Sequence, residues 1–287
     1  MQEQELKLAE PILFQPFESR GPKRIDPNDP PWGSAIGLAV WIASVALVVF
    51  LPSIFLLPYL FSKTGGVLDQ EAIGQIATSD PTAVLIQVAS ILPVHILTLL
   101  LCWFVVTKSR SHPFRATLGW ESGGMRWWHY PLILFGFVAV MIVVGSIMPE
   151  QENDLFRILK SSRWALYTVA FLAVFTAPFV EEVVYRGILY SAFQRSIGTY
   201  GAVVLVTFLF ALVHVPQYYP SYSTIILLTL LSLILTLVRV FSGNLLPCII
   251  LHTLFNAFQS AMLLAEPHIS LPGPAPADQA ALFLMLI

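Results

Sequence analysis

Long apolar runs separated by short polar connections make up most of the chain beyond residue 33. A helix needs about 20 mainly apolar residues to cross a lipid bilayer. On that basis the pattern predicts seven transmembrane helices, at residues 36–60, 83–107, 130–148, 165–186, 201–215, 224–241 and 246–264. The expected fold is therefore all-α, a polytopic membrane helix bundle.

Two parts of this pattern are irregular. The fifth run is short and ends at Pro216, so we expect residues 217–219 to continue it at an interface, or neighbouring helices to shield it. Residues 280–287 are apolar but too short to span, which predicts an interfacial or half-inserted end and sets eight crossings as the upper limit. Within the longer runs, helix kinks are expected at three prolines: Pro52, Pro58 and Pro93.

Composition strengthens the membrane interpretation. Hydrophobic residues make up 56% of the chain and charged residues 11%, whereas about 25% of a soluble domain is charged. The net charge of -2 comes without a basic tract, so nucleic acid is excluded as a partner. The expected partners are the lipid bilayer and a membrane-associated protein or peptide. Cys102 and Cys248 lie inside apolar runs without metal-ligand spacing, and we interpret them as packing residues.

The sequence predicts four regions along the chain. They are a polar N-terminal tail at 1–33, a three-span region at 34–164, a four-span catalytic core at 165–264 and an interfacial tail at 265–287. The first tail is polar and proline-rich, unlike a secretory signal peptide, so the first span is expected to be retained. With the N-terminus in the cytoplasm, eleven of the 15 Lys and Arg residues fall on the cytoplasmic side. We expect an integral protein of a bacterial inner membrane with a cytoplasmic N-terminus.

Three charges inside the fourth run are its most informative feature. Glu181, Glu182 and Arg186 lie where a charge costs at least ~2.5 to 3.5 kcal/mol, so a functional site is the default hypothesis. Positions i and i+4 of a helix share a face, whereas adjacent residues point about 100° apart. Glu182 is thus expected to pair with Arg186, leaving Glu181 free to act as a general base.

Polar residues in two later runs complete a candidate site. His214 lies near the end of the fifth predicted span, and His252 and Asn256 lie one turn apart on the seventh. With Glu181 they suit hydrolysis of an amide or ester: the glutamate takes a proton from water, and a histidine and the asparagine stabilise the oxyanion. The same Glu181, His214 and His252 would also suit a catalytic zinc ion, and the residues alone leave both possibilities open.

Other polar residues in the apolar runs have simpler interpretations. His95 has no matching partner motif, so we expect a structural, hydrogen-bonded helix contact. Arg239 is near the end of the sixth span and is expected to extend to the membrane interface. Glu182 and Arg186 alone would also be compatible with a structural ion pair.

The ordered motifs resemble a known family. Glu-Glu-x-x-x-Arg at 181–186, Phe-x-x-x-His at 210–214 and His-x-x-x-Asn at 252–256 resemble the CAAX protease and bacteriocin-processing family, also called the Abi family, of intramembrane proteases. The resemblance covers about residues 165–264. It implies a membrane-embedded endopeptidase whose eukaryotic and archaeal relatives remove the last three residues from prenylated CAAX proteins.

Residue roles follow from this resemblance by position. Glu181 resembles the catalytic base that activates water with His214, while His252 and Asn256 resemble the oxyanion-stabilising pair. The positions that match supporting residues of the family are Glu182, Arg186 and Phe210. Members are commonly labelled metalloproteases, although a metal-free glutamate mechanism has been argued for the family. We favour a reaction that needs no cofactor, with a divalent metal such as zinc as the alternative.

Two other classes of function compete with the protease. One is a non-catalytic scaffold for bacteriocin immunity or peptide binding, which would keep the polar cluster to hold a partner. The other is a proton-coupled transporter that uses Glu181 and the histidines as a relay. The transporter is disfavoured because the two halves of the chain show no internal repeat.

Overall fold

The computed structural model describes residues 26–66, 69–148, 151 and 162–265, which form helices and no strand. The predicted C-terminal interfacial segment and residues 1–25 of the N-terminal tail lie outside this part. The helices before residue 150 are α1 Ser34–Thr64, α2 Gln70–Ser79, α3 Pro81–Ala89, α4 Ile91–Thr107, α5 Phe114–Leu118 and α6 His129–Ile147. Those after residue 162 are α7 Arg163–Phe171, α8 Ala177–Glu182, α9 Tyr190–Tyr218, α10 Tyr222–Ser242 and α11 Leu246–Ala265. Two π-helical segments, Leu172–Thr176 and Val183–Leu189, join α7 to α8 and α8 to α9.

Six segments of the described chain are long and apolar enough to cross a membrane, which confirms the all-α polytopic fold. The fourth, Arg163–Tyr218, has 56 residues and contains both the fourth and the fifth predicted spans. Its backbone breaks at Gly198, where φ is 77°. The rings of Tyr185 and Phe210 lie 4.9 Å apart, whereas 25 residues of straight helix would separate them by about 37 Å. The chain therefore reverses at Gly198 into a helical hairpin.

Most of the prolines in the apolar runs lie inside helices. Helix α1 continues through Pro52 and Pro58, and α9 continues through Pro216 to Tyr218. The predicted second span consists of two helices, α3 and α4, that meet at Ser90. Pro93 lies in the first turn of α4. Backbone N–H groups there have no partner within the helix, so the missing N–H of proline costs no helical hydrogen bond.

The N-terminal helices pack around the C-terminal hairpin in one core. Its fully buried members include Val40 of α1, Val106 of α4, Ile188 of the second π-helical segment and Val206 of α9. Both cysteines are buried and unoxidised, Cys102 in this core and Cys248 in a second cluster between α6, α10 and α11. The first spans therefore form part of the wall around the hairpin that carries Glu181.

Asp80 joins α1, α2 and α3 outside the spanning segments. Its Oδ1 atom accepts hydrogen bonds from the backbone N–H groups of Thr82, at 2.8 Å, and Ala83, at 3.1 Å. The Tyr59 hydroxyl donates to both carboxylate oxygens at 2.9 Å, and Lys63 Nζ lies 3.2 Å from Oδ2. The hydrogen bond from Ala83, helped by those from Tyr59 and Lys63, lowers the pKa of Asp80 from 3.8 to about 2.

The expectation that Arg239 reaches the membrane interface is wrong. Its side chain is buried, because the segment before α1 folds across it. Arg239 donates from Nη1 to Asn28 Oδ1 at 2.8 Å and from Nη2 to the Pro27 carbonyl at 3.0 Å. The same segment is held by Trp32, which donates from Nε1 to the Ile188 carbonyl at 3.1 Å. The last residues of the predicted polar tail are thus part of the folded bundle.

Candidate active site

The two π-helical segments flank α8, the short helix that carries both glutamates. In the first, the Ala177 N–H bonds to the carbonyl of Leu172, five residues earlier. The next residue is Pro178, which has no N–H to offer the Ala173 carbonyl. Asn256 of α11 supplies the missing donor from Nδ2, at 2.8 Å. Because a carbonyl only accepts, this bond also fixes which end of the Asn256 amide is the nitrogen.

Glu182 forms the predicted ion pair in the buried interior. Its Oε1 atom lies 2.8 Å from Arg186 Nη1, and both side chains have no exposed surface. Arg186 also crosses to α10, where Nη2 donates to the carbonyl and the hydroxyl of Ser232, both at 2.8 Å, and Nε donates to Thr236 Oγ1 at 3.2 Å. The guanidinium plane lies over Phe210, with Cζ 4.9 Å from the ring centre. The pair therefore holds three helices together.

His252 connects this buried pair to Glu181. Its Nδ1 atom donates to Glu182 Oε1 at 2.8 Å, a contact between residues 70 positions apart that the sequence analysis missed. Its Nε2 atom lies 3.9 Å from Glu181 Oε2. Because Nδ1 donates to Glu182, Nε2 carries a hydrogen as well only when the ring is protonated on both nitrogens. In that state Nε2 is a hydrogen-bond donor, as an oxyanion-stabilising role requires.

His214 is oriented by its own helix. Its Nδ1 atom donates to the Phe210 carbonyl one turn earlier, at 2.7 Å, and its ring lies 4.7 Å from the Phe210 ring. The His214 ring also stacks on the ring of Tyr218, with the two ring centres 6.3 Å apart. Because Nδ1 carries the shared hydrogen, Nε2 is a lone-pair acceptor in the neutral ring.

All four predicted catalytic residues line one cavity of about 490 Å³. Glu181 is the carboxylate at this wall, and about a quarter of its side chain is exposed. Glu182 and Arg186 lie behind the wall, and Phe210 contributes its ring to it. The structure thus places a carboxylate, two imidazoles and a carboxamide around one space, the groups that a hydrolytic site requires.

Polar side chains that the sequence motifs did not indicate also line this cavity. His95 of α4 is one, and the others are Gln87, Gln217 and Gln259. The His95 Nδ1 atom hydrogen bonds to Thr176 Oγ1 at 2.8 Å. This is the helix contact expected from the sequence, but the position in the cavity wall was not expected. The available signal was a histidine inside an apolar run, which is by itself a reason to suspect function.

The alternative zinc set fits this arrangement poorly. Among residues 26–66, 69–148, 151 and 162–265, no group of three His, Cys, Asp or Glu side chains lies close enough to hold one ion. Glu181, His214 and His252 share the cavity without forming such a group. We therefore derive no step of the reaction through a metal.

Residues 163–258 match the family model described as Type II CAAX prenyl endopeptidase Rce1-like. This part of the chain, about a third of the sequence, is similar to the Rce1-like family. The match extends from the start of α7 to two residues beyond Asn256, so it contains every predicted site residue. No curated protein and no solved structure matches the chain. The family resemblance drawn from the three motifs is confirmed.

The match to the Rce1-like family supports an intramembrane protease of the CAAX type at the level of the family. Together with the six apolar segments, it identifies an integral membrane protein. The matched region begins at residue 163, so the helices α1 to α6 lie outside it. Part of the cavity wall, including His95 and Val48, comes from these unmatched helices.

Proposed function

We propose that the protein is an intramembrane endopeptidase in which Glu181 activates water to hydrolyse a peptide bond. The substrate is a membrane-associated or lipidated, CAAX-like protein, or a small membrane peptide. The observation that carries this proposal is the position of Glu181, partly exposed in a cavity that His214, His252 and Asn256 also line. A second carboxylate, Glu182, is fully buried behind it and is already paired.

The reaction follows from these positions. Glu181 takes one proton from water. His214 Nε2 accepts a hydrogen bond from the other water O–H and so orients the oxygen. The resulting hydroxide attacks the carbonyl carbon of the substrate, and the negative charge develops on the carbonyl oxygen. His252 Nε2–H and the second N–H of Asn256 donate to that oxygen. Glu181 then returns its proton to the amide nitrogen as the carbon–nitrogen bond breaks, which releases an acid and an amine.

Glu182 and Arg186 act in this scheme by orienting His252. A carboxylate that accepts from Nδ1–H fixes the rotation of the imidazole ring. Arg186 pairs with that carboxylate, and Ser232 and Thr236 keep Arg186 in place. Asn256 is oriented separately, by the Ala173 carbonyl that Pro178 leaves free.

The membrane orientation is a further part of the proposal. The excess of Lys and Arg in alternate connections supports a cytoplasmic N-terminus. This places the loops after α4 and α10 on the cytoplasmic side. A substrate anchored to the cytoplasmic leaflet would approach the cavity laterally, through lipid.

Cleavage of defined peptides tests the proposal. The purified protein is reconstituted in liposomes with a farnesylated CAAX peptide or an unlipidated apolar membrane peptide, and products are identified by mass spectrometry. We expect wild-type protein to cleave at least one of them and Glu181→Ala to cleave neither. Full activity of Glu181→Ala would show that the assigned mechanism is wrong.

Two measurements separate this proposal from its alternatives. A metal-free reaction predicts unchanged activity after chelation and no bound zinc by elemental analysis, whereas loss on chelation and recovery with zinc would favour a metalloprotease. A non-catalytic immunity scaffold predicts that the Glu181→Gln variant still protects cells from the bacteriocin. A protease predicts that this variant no longer protects them.

A further inference from the structure

His95 is the one cavity histidine that comes from outside the matched family region. It lies on α4, which packs against the first π-helical segment and α8. The side chain is 8% exposed and lines the same cavity as Glu181. An α4 residue therefore shares this cavity with Glu181.

A chain of two hydrogen bonds sets the tautomer of His95. The Thr176 hydroxyl donates its single hydrogen to the Leu172 carbonyl at 3.1 Å. It is therefore the acceptor in the 2.8 Å contact with His95, and the imidazole hydrogen lies on Nδ1. Nε2 makes no hydrogen bond to a described residue. In the neutral ring with its hydrogen on Nδ1, Nε2 is an acceptor for a molecule in the cavity.

We propose that His95 is a substrate-binding residue of the peptidase, whose Nε2 atom accepts a hydrogen bond from a backbone N–H of the bound peptide. This inference rests on the proposed endopeptidase function. It assigns to helix α4, outside the family match, a direct contact with the substrate near the scissile bond.

Such an acceptor is needed because the other catalytic groups in the cavity already have roles in the proposed reaction. In the proposed reaction, His252 Nε2–H and Asn256 Nδ2–H donate to the peptide carbonyl, and His214 and Glu181 bind the attacking water. Much of the remaining wall is apolar, including Val48, Ile91 and Leu231. A peptide N–H that enters this wall loses its hydrogen bonds to water unless a protein acceptor replaces them. His95 Nε2 is that acceptor.

Two conservative variants separate the roles of the two ring nitrogens. The side-chain amide of asparagine reaches the position of Nδ1, so His95→Asn keeps a donor to Thr176 and loses the acceptor at Nε2. The amide of glutamine reaches the position of Nε2, so His95→Gln keeps an acceptor in the cavity and loses the bond to Thr176. Ser44→Ala is the matched control, because the Ser44 hydroxyl lines the cavity but already donates to the Trp41 carbonyl in its own helix.

Steady-state cleavage of the better reconstituted peptide gives the first readout. We expect His95→Asn to lower kcat/KM about tenfold, equivalent to about 1.4 kcal/mol, mainly through KM. His95→Gln and Ser44→Ala should stay within about threefold of wild type. The opposite order, with Asn active and Gln impaired, would show that His95 acts only through Thr176 and would overturn the proposal. Equal activity of all variants, or equal loss in both His95 variants, would also overturn it.

Binding of the uncleaved peptide gives a readout that does not depend on catalysis. The same His95 substitutions are combined with Glu181→Gln, and the Kd of the fluorescent peptide is measured by anisotropy in liposomes. The proposal predicts a Kd about tenfold higher for His95→Asn and nearly unchanged for His95→Gln. An unchanged Kd in both contradicts it. If wild-type protein cleaves neither peptide, the endopeptidase proposal fails, and this measurement still decides whether His95 contacts the peptide.

Discussion

Replacing Arg186 by methionine tests whether the buried ion pair holds the active-site helices together. The substitution keeps an elongated apolar side chain but removes the partner of Glu182, which has no exposed surface. Breaking one side of a buried pair costs about 3–5 kcal/mol, because the remaining charge stays uncompensated. Hydrogen bonds from Arg186 to Ser232 and Thr236 are lost as well, although the Thr236 hydroxyl keeps its 2.7 Å bond to the Ser232 carbonyl. We therefore expect Arg186→Met to lower the free energy of unfolding by about 3–5 kcal/mol.

A double variant separates the effect of leaving Glu182 without its partner from the effect of losing the packing of Arg186. Glu182→Gln combined with Arg186→Met removes both charges of the ion pair, so it should be more stable than Arg186→Met alone by at least about 1 kcal/mol. Both variants should lose most activity, since the double variant lacks the carboxylate that orients His252 and Arg186→Met lacks the guanidinium that pairs with that carboxylate. The assay is reversible denaturation in mixed micelles, followed by circular dichroism.

An exposed ion pair provides the control for this experiment. Arg195 and Asp29 lie 3.0 Å apart, with side chains 42% and 46% exposed. Arg195→Gln should therefore cost no more than about 1 kcal/mol. An Arg186→Met protein within about 1 kcal/mol of wild type would refute the reasoning, as would a double variant less stable than Arg186→Met.

Three further predictions concern other parts of the bundle. Pro178→Ala restores a backbone N–H that competes with Asn256 Nδ2 for the Ala173 carbonyl. We therefore expect kcat/KM to fall about tenfold, equivalent to about 1.4 kcal/mol, without loss of stability. Unchanged kinetics would contradict this prediction. Asn28→Ala removes an acceptor from the buried Arg239 guanidinium and should lower the free energy of unfolding by about 1–3 kcal/mol, which denaturation in micelles checks. The pKa of Asp80, held at about 2, means that its stabilisation is present above about pH 4 and is lost as the pH falls through about 2. Denaturation curves of wild type and Asp80→Asn should therefore differ at pH 7 and converge near pH 2, whereas a constant difference would contradict the assignment.

Much of the helix pattern follows from the sequence, because bilayer thickness sets the length of an apolar run. The third and seventh predicted spans end within a residue of α6 and α11. The pairing of Glu182 with Arg186 follows from helical periodicity alone. The four-region division and the tails stay predictions.

Contacts between distant helices could not be predicted in the same way. The bond from His252 to Glu182 joins residues 70 positions apart, and it depends on how α11 packs against α8. Burial of Arg239 depends on a segment more than 200 residues away. The Asn256 contact needs a π-helical turn next to Pro178, and no periodicity rule applied to the apolar runs indicates one. Such details come from tertiary packing rather than from local pattern.

The rate of peptide cleavage by Glu181→Gln tests the central claim most directly. Glutamine keeps the size of the side chain but cannot take a proton from water, and general base catalysis contributes about 10²- to 10⁴-fold. The measurement is kcat/KM in liposomes for this variant, with circular dichroism showing that it remains folded. We predict a loss of at least about 100-fold. A folded Glu181→Gln protein that retains more than about a tenth of wild-type activity would contradict the assignment of Glu181 as the catalytic base.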